Sequence, residues 1–125
     1  GSAGNITLSI TPTTATFTGN VTVEGALTET SARRFKENIK TLDNQISNIS
    51  KLNPVSFDWK KDSKSDIGFI AEEVKEVYPN LVSEEDGEIK GVQYSKLTAI
   101  LVKALQDQQK QIDELKEEIF ILKKK

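Results

Sequence analysis

Leu105, Ile112 and Ile119 stand seven residues apart, and Leu101, Gln108, Leu115 and Leu122 form a second seven-residue series offset by three. These are the a and d positions of a coiled coil, sustained over roughly three heptads of a helix predicted from about Ser95 to Lys125. Glu114, Lys116, Glu117 and Glu118 fall off the seam. Gln108 is polar at a d position, which costs stability but can specify register and strand number. Such a helix can alternatively pack on its own domain. This chain has only 125 residues, and the tail outlasts any core so small a domain can offer. An oligomer is therefore the favoured reading.

Upstream, two other patterns meet. Residues 5–29 are rich in Thr and poor in charge. Ile6, Leu8 and Ile10 alternate with Thr7 and Ser9, and Thr16-Phe17-Thr18 and Val21-Thr22-Val23 alternate likewise. Pro12, Gly19-Asn20 and Gly25 punctuate them, so they read as short strands with turns. Strands this short hold too little apolar surface to stand alone and need the rest of the chain or copies from other chains. The competing reading is a mobile leader. From residue 32 the period changes. Phe35, Ile39, Leu42, Ile46, Ile49 and Leu52 recur at steps of four and three, one face of an amphipathic helix. Thr30 or Ser31 is placed to cap its start, and Asn53-Pro54 to end it.

The middle of the chain alternates shorter elements. Val55 to Trp59 reads as a strand, with Phe57 and Trp59 expected in the core, and Lys60 to Asp66 as a charged loop. Ile67 to Ala71 is an apolar run leading into a short helix, Glu72 to Tyr78, stopped by Pro79. Two acids in its first turn suit the positive end of the helix dipole. Leu81-Val82, the turn Glu84-Glu85-Asp86-Gly87, and Ile89 to Tyr94 suggest a small hairpin.

Composition removes several chemistries. A net charge of −2 gives no electrostatic reason to expect nucleic acid or an anionic membrane as partner. No apolar run approaches the roughly 18 residues of a membrane span. There is no cysteine and no histidine, so acid–base work falls to Lys, Asp, Glu or Tyr. Glu84-Glu85-Asp86-Gly87 lacks the ligand spacing of a calcium loop, and no glycine-rich phosphate loop is present, so neither metal nor cofactor is assigned. Gly1-Ser2-Ala3-Gly4 reads as a cloning scar.

The remaining candidate chemistry lies at the junction itself. Ser31 and Lys36 can form a nucleophile and its base, as in Ser–Lys proteases that work without histidine. Lysine acts as a base only when neutral, a form favoured by desolvation and by like charge, here Arg33 and Arg34. On one continuous helix, residues five apart point roughly 140° away from each other, from about 100° per residue. Ser31 must therefore lie on an extended segment before the helix, or be served by Lys36 of a neighbouring chain. The plainer reading is an N-cap serine and a solvated lysine.

An ordered set of residues resembles a known family. Ser31-x-x-Arg34-Phe35-Lys36-Glu37-Asn38-Ile39 and Leu52-Asn53-Pro54-Val55-Ser56-Phe57 are followed by Ile67-Gly68-Phe69-Ile70-Ala71-Glu72-Glu73-Val74. Tyr78-Pro79-Asn80-Leu81-Val82, Gly91-Val92-Gln93-Tyr94 and Leu97 to Leu105 complete it. From Ser31 to roughly Gln109 the chain resembles the C-terminal intramolecular chaperone domain of phage tail spikes and tail fibres. That self-cleaving domain is typified by endosialidase tail spikes and shared with the myelin regulatory factor transcription factors. Gly19 to Gly25 is similar to strands that end trimeric β-structures in phage fibres.

The resemblance implies an α+β homotrimer. Residues 5–30 would end a β-structured stem, 31–98 form the chaperone domain and 99–125 the coiled-coil helix. It implies that the domain guides folding of the upstream spike during virion assembly in the host cytoplasm. The domain then leaves the mature tail by autoproteolysis between Thr30 and Ser31. Ser31 would be the nucleophile and Lys36 the general base. The family usually has aspartate after the serine; here Ala32 stands there, which implies slower cleavage if that acid orients the dyad. The alternatives are a non-cleaving folding module of the same fold and a plain coiled-coil adaptor.

Overall fold

A computed structural model describes residues 13–125. The expected scar at 1–4 and the strand of Ile6, Leu8 and Ile10 lie outside the described residues. The chain divides into two compact units, 1–39 and 40–125.

In the first unit every described residue is exposed, and residues 13–29 form no strand ladder. Thr16–Thr18 and Val21–Val23 are thus not paired within one chain. A few isolated strand residues bury too little to hold a ladder. The one regular element among its described residues is a 3-10 turn, Arg33–Phe35.

The second unit is α+β. It runs through α1 (Ile46–Ile49), β1 (Val55–Asp58), β2 (Ser65–Gly68), α2 (Ala71–Val77), a 3-10 turn (Pro79–Leu81), β3 (Val82–Glu85), β4 (Glu88–Val92) and α3 (Tyr94–Lys123). The strands make two separate antiparallel hairpins. In the first, Val55 pairs with Gly68 and Asp58 with Ser65. In the second, Val82 pairs with Val92 and Glu85 with Glu88, with a bulge after Ser83. Asp86 and Gly87 at its tip have φ of 52° and 77°, the left-handed pair that a tight two-residue hairpin turn requires.

Four elements meet at Leu81, which is 1% exposed. Val74 of α2, Tyr78, Val82 of β3, and Leu97 and Ile100 of α3 surround it. Pro79 explains the geometry: it cannot continue α2, and it opens the 3-10 turn that carries Leu81 inward. The Gln93 N–H then donates to the Leu81 carbonyl at 2.6 Å, fixing where α3 begins. Among the described residues Gln45 is the one buried polar residue. It accepts a 2.7 Å hydrogen bond from the Tyr78 hydroxyl, while its own amide donates to the Asp43 carbonyl.

Three expectations need correction. The helix from Phe35 to Leu52 is absent apart from the single turn Ile46–Ile49. Lys36 is extended, and Asn38 sits at φ 54°. Asn38, Thr41, Asp43 and Asn44 are weak helix formers whose side chains compete for the backbone. Asn44 does so directly, its Oδ1 accepting from the Ile46 N–H at 2.9 Å. Neither Thr30 nor Ser31 caps a helix; the turn starts from Ala32 without a side-chain cap. Trp59 is 47% exposed rather than in the core. It follows the end of β1, with its indole N–H donating to Asp66 Oδ2 and its ring edge-on to Phe57 at 5.0 Å.

Leu81→Ala should lower stability by about 3 kcal/mol, since the site has no slack to collapse into; urea denaturation followed by far-UV circular dichroism measures it. A second expectation concerns pH. Burial raises the Tyr78 hydroxyl above its ordinary value of 10.0, with the Asn48 side chain partly opposing. The fold therefore prefers the neutral phenol. That contribution is fully present below about pH 10 and is lost as pH rises through the raised value. Alkaline denaturation should show this loss, and Tyr78→Phe should remove it.

Candidate functional site

The turn Arg33–Phe35 exists because two backbone hydrogen bonds close it: Phe35 N–H to the Ala32 carbonyl at 3.1 Å, and Lys36 N–H to the Arg33 carbonyl at 3.0 Å. On either side the backbone is extended, with Ala32 at φ −65°, ψ 148° and Lys36 at φ −127°, ψ 148°. A tight three-residue turn between extended arms folds the chain back on itself. Ser31 and Lys36, at the two ends, are thereby brought together. Lys36 Nζ donates to Ser31 Oγ at 2.6 Å. An α-helix over the same residues would have pointed them apart.

The surroundings are cationic and partly apolar. Arg34 lies over the Phe35 ring, 4.4 Å from its centroid, a cation–π contact that stiffens the turn. Ser31, Lys36 and Thr30 are all exposed in the single chain. Two features of this site escaped the sequence. One is the stacking of Arg34 on Phe35, which adjacency alone does not announce. The other is the left-handed Asn38, for which asparagine's tolerance of that region was the available signal.

The heptad positions expected on α3 all lie in the second unit. Leu97, Ile100 and Ala104 of α3 are buried in the second unit's own core. Leu101, Leu105, Ile112, Leu115, Ile119 and Leu122 are all large exposed hydrophobics, and Gln108 is exposed among them. Among the described residues no cluster of acids stands where it could hold a metal ion, and no helix is long and apolar enough to cross a membrane.

Residues 31–83 match the family described as chaperone of endosialidase, whose designation is that of a peptidase. The match begins at Ser31, the residue that the turn holds against Lys36. Over this span the chain is similar to the chaperone-of-endosialidase family. A curated relative is the long tail fiber protein Gp37 of Salmonella phage S16, 32% identical over 108 residues. The alignment covers 78% of this chain and 14% of that protein. The match to the family therefore runs from the turn through α2 to the start of β3, and takes in Val74, Tyr78 and Leu81 of the core.

Proposed function

We propose that this chain is the assembly chaperone at the end of a phage tail fibre or spike. On this reading it trimerises through α3, directs folding of the β-structured segment before it, and severs itself between Thr30 and Ser31. The observation that carries the cleavage step is the 2.6 Å contact between Lys36 Nζ and Ser31 Oγ. The family match beginning at Ser31 and the tail-fibre relative support the assembly role.

The chemistry can be followed atom by atom. In the resting contact the ammonium donates to the hydroxyl; with lysine neutral, the same line carries the hydroxyl proton to Nζ. Ser31 Oγ then attacks the carbonyl carbon of Thr30, the peptide unit just before it. The attack closes a five-membered ring through Oγ, Cβ, Cα and N of Ser31. The C–N bond breaks, the nitrogen takes the proton back from Lys36, and Thr30 is left as an ester on Ser31 Oγ. Water, deprotonated by the same amine, hydrolyses that ester. The products are a Thr30 carboxylate and a Ser31 with its hydroxyl restored and a free α-amine.

The assembly role rests on the physics of the two ends. Strand pairing among three chains is non-local, slow and exposed to misassembly. A helix that brings three copies together raises the local concentration of the strands and fixes their register. The exposed seam of α3 is the surface for that task. A second reading is a folding module of the same fold that does not cut. Ala32 favours it, because no carboxylate follows the serine to hold the dyad.

Time-resolved intact mass should show loss of the leader ending at Thr30. Ser31→Ala should abolish that loss, and Lys36→Ala should slow it by at least about 100-fold, the usual contribution of a positioned base. Hydroxylamine should trap the ester as a Thr30 hydroxamate. Leader loss that Ser31→Ala leaves unchanged overturns the mechanism. Separately, Ile112→Asp at the centre of the seam should reduce three chain masses to one in sedimentation, while the core around Leu81 stays folded. An unaltered mass would overturn α3 as the association surface.

A further inference from the structure

A groove of about 430 Å³ opens between the two hairpins of the second unit. Asp66 and Ile67 both line it, as do Lys90, Gly91 and Val92. Successive residues of a strand point to opposite faces. A groove lined by consecutive residues of β2 and of β4 takes in strand edges beside the face that Phe57, Trp59 and Asp66 share. Among the described residues each of these strands has one partner, so its other edge carries backbone groups with no ladder to join, apart from the Ile67 N–H, which donates to Asp66 Oδ1. The wall is apolar: Trp59 and Tyr94 line the groove half exposed, and Ile67 is 79% exposed. Its charges are Asp66 and Glu72 against Lys90. Asp66 is held as a carboxylate by the Ile67 backbone N–H and the Trp59 indole N–H, which lower its pKa.

Free strand edges, an aromatic wall and an acidic balance fit a peptide that brings backbone groups, apolar side chains and positive charge. Two exposed segments of this chain offer themselves. Residues 13–29 carry Glu24 and Glu29 and no Lys or Arg, so their charge opposes the groove. Residues 33–39 carry Arg33, Arg34 and Lys36 against Glu37, and their apolar side chains Phe35 and Ile39 are 60% and 53% exposed.

We propose that the Arg33–Ile39 arm of a second copy docks in this groove, with Phe35 on the aromatic wall and the arm's cations toward Asp66 and Glu72. A single chain leaves the groove open and these side chains bare, so every copy offers both an arm and a groove. Passing each arm to the next copy satisfies all of them in a closed ring. The docking stands independently of the dyad reading above.

Because the chain has no cysteine, the arrangement can be read by cross-linking. Full-length chains carrying Phe35→Cys and mass-tagged chains carrying Ile67→Cys are co-expressed and treated with a short bismaleimide. Both positions are exposed, so neither substitution touches the core. The expected product contains one chain of each kind, at least about tenfold above the same product from Phe35→Cys paired with an unsubstituted partner. Asp66→Lys should lower its yield roughly tenfold by setting like charges together, and adding Arg34→Glu should restore it. Trp59→Cys in place of Ile67→Cys should give the same mixed product. The proposal is overturned if no mixed product forms in either pairing. It is equally overturned if the link forms only within chains carrying both cysteines, or if Val21→Cys replaces Phe35→Cys with equal yield. Leader loss is scored separately on the same samples. Mixed cross-links without leader loss sink the dyad alone, and leader loss without them sinks the docking alone.

Discussion

Leu81 closes a core so small that it can cover only the first third of α3, and much else follows from that limit. Seven buried hydrophobic residues, from Val74 to Ala104, hold the second unit together. They occupy one face of the helix, at Leu97, Ile100 and Ala104, and stop there. α3 continues to Lys123, some 30 Å beyond the core at 1.5 Å per residue. A helix of that length with a bare apolar stripe is not held by propensity alone; in proteins, packing of the apolar face supplies most helical stability. α3 thus has one end packed on the core and one end whose apolar stripe is exposed.

What could be read in the sequence, and what could not, separates along the same line. α2 and α3 came through because charge, proline and heptad spacing all pointed one way. The turn at Asp86-Gly87 did so because only a few residue pairs accept two left-handed positions. The stretch Phe35 to Leu52 misled because steps of three and four suggest a helix wherever they occur. There the propensity of Asn38, Thr41, Asp43 and Asn44 argued against the spacing, and local side-chain bonding won. The spacing has a different meaning in the folded chain. Ile49 and Leu52 pack against the core, while Phe35, Ile39 and Leu42 stay exposed. One apparent helical face is in truth two surfaces with different destinations. Trp59 was misplaced for a related reason: alternation on a four-residue strand says nothing about its first residue beyond the end.

The pairing of Ser31 with Lys36 was legible as a condition, not as a position. Helical geometry forbids the contact within one helix, so the sequence called for a break between the two residues or for Lys36 of a neighbouring chain. The break takes the form of a three-residue turn with extended backbone on both sides. The change from period two to period three and four, which marks the junction in the sequence, thus sits at a change of direction in the chain. A cut between Thr30 and Ser31 would leave all the described buried residues on one side, since every described residue before the junction is exposed and every described buried one follows Lys40.

Three surfaces remain bare in a single chain: the α3 seam, the groove between the hairpins, and the arm around Phe35. Each alone is a modest contact. Linked on one chain they act together, since the first to engage makes the others intramolecular and raises their effective concentration. Association through α3 would come first, because its seam is continuous and needs no rearrangement. Arm docking would follow at the high local concentration set by α3, so the order of engagement would run from the helix to the arm.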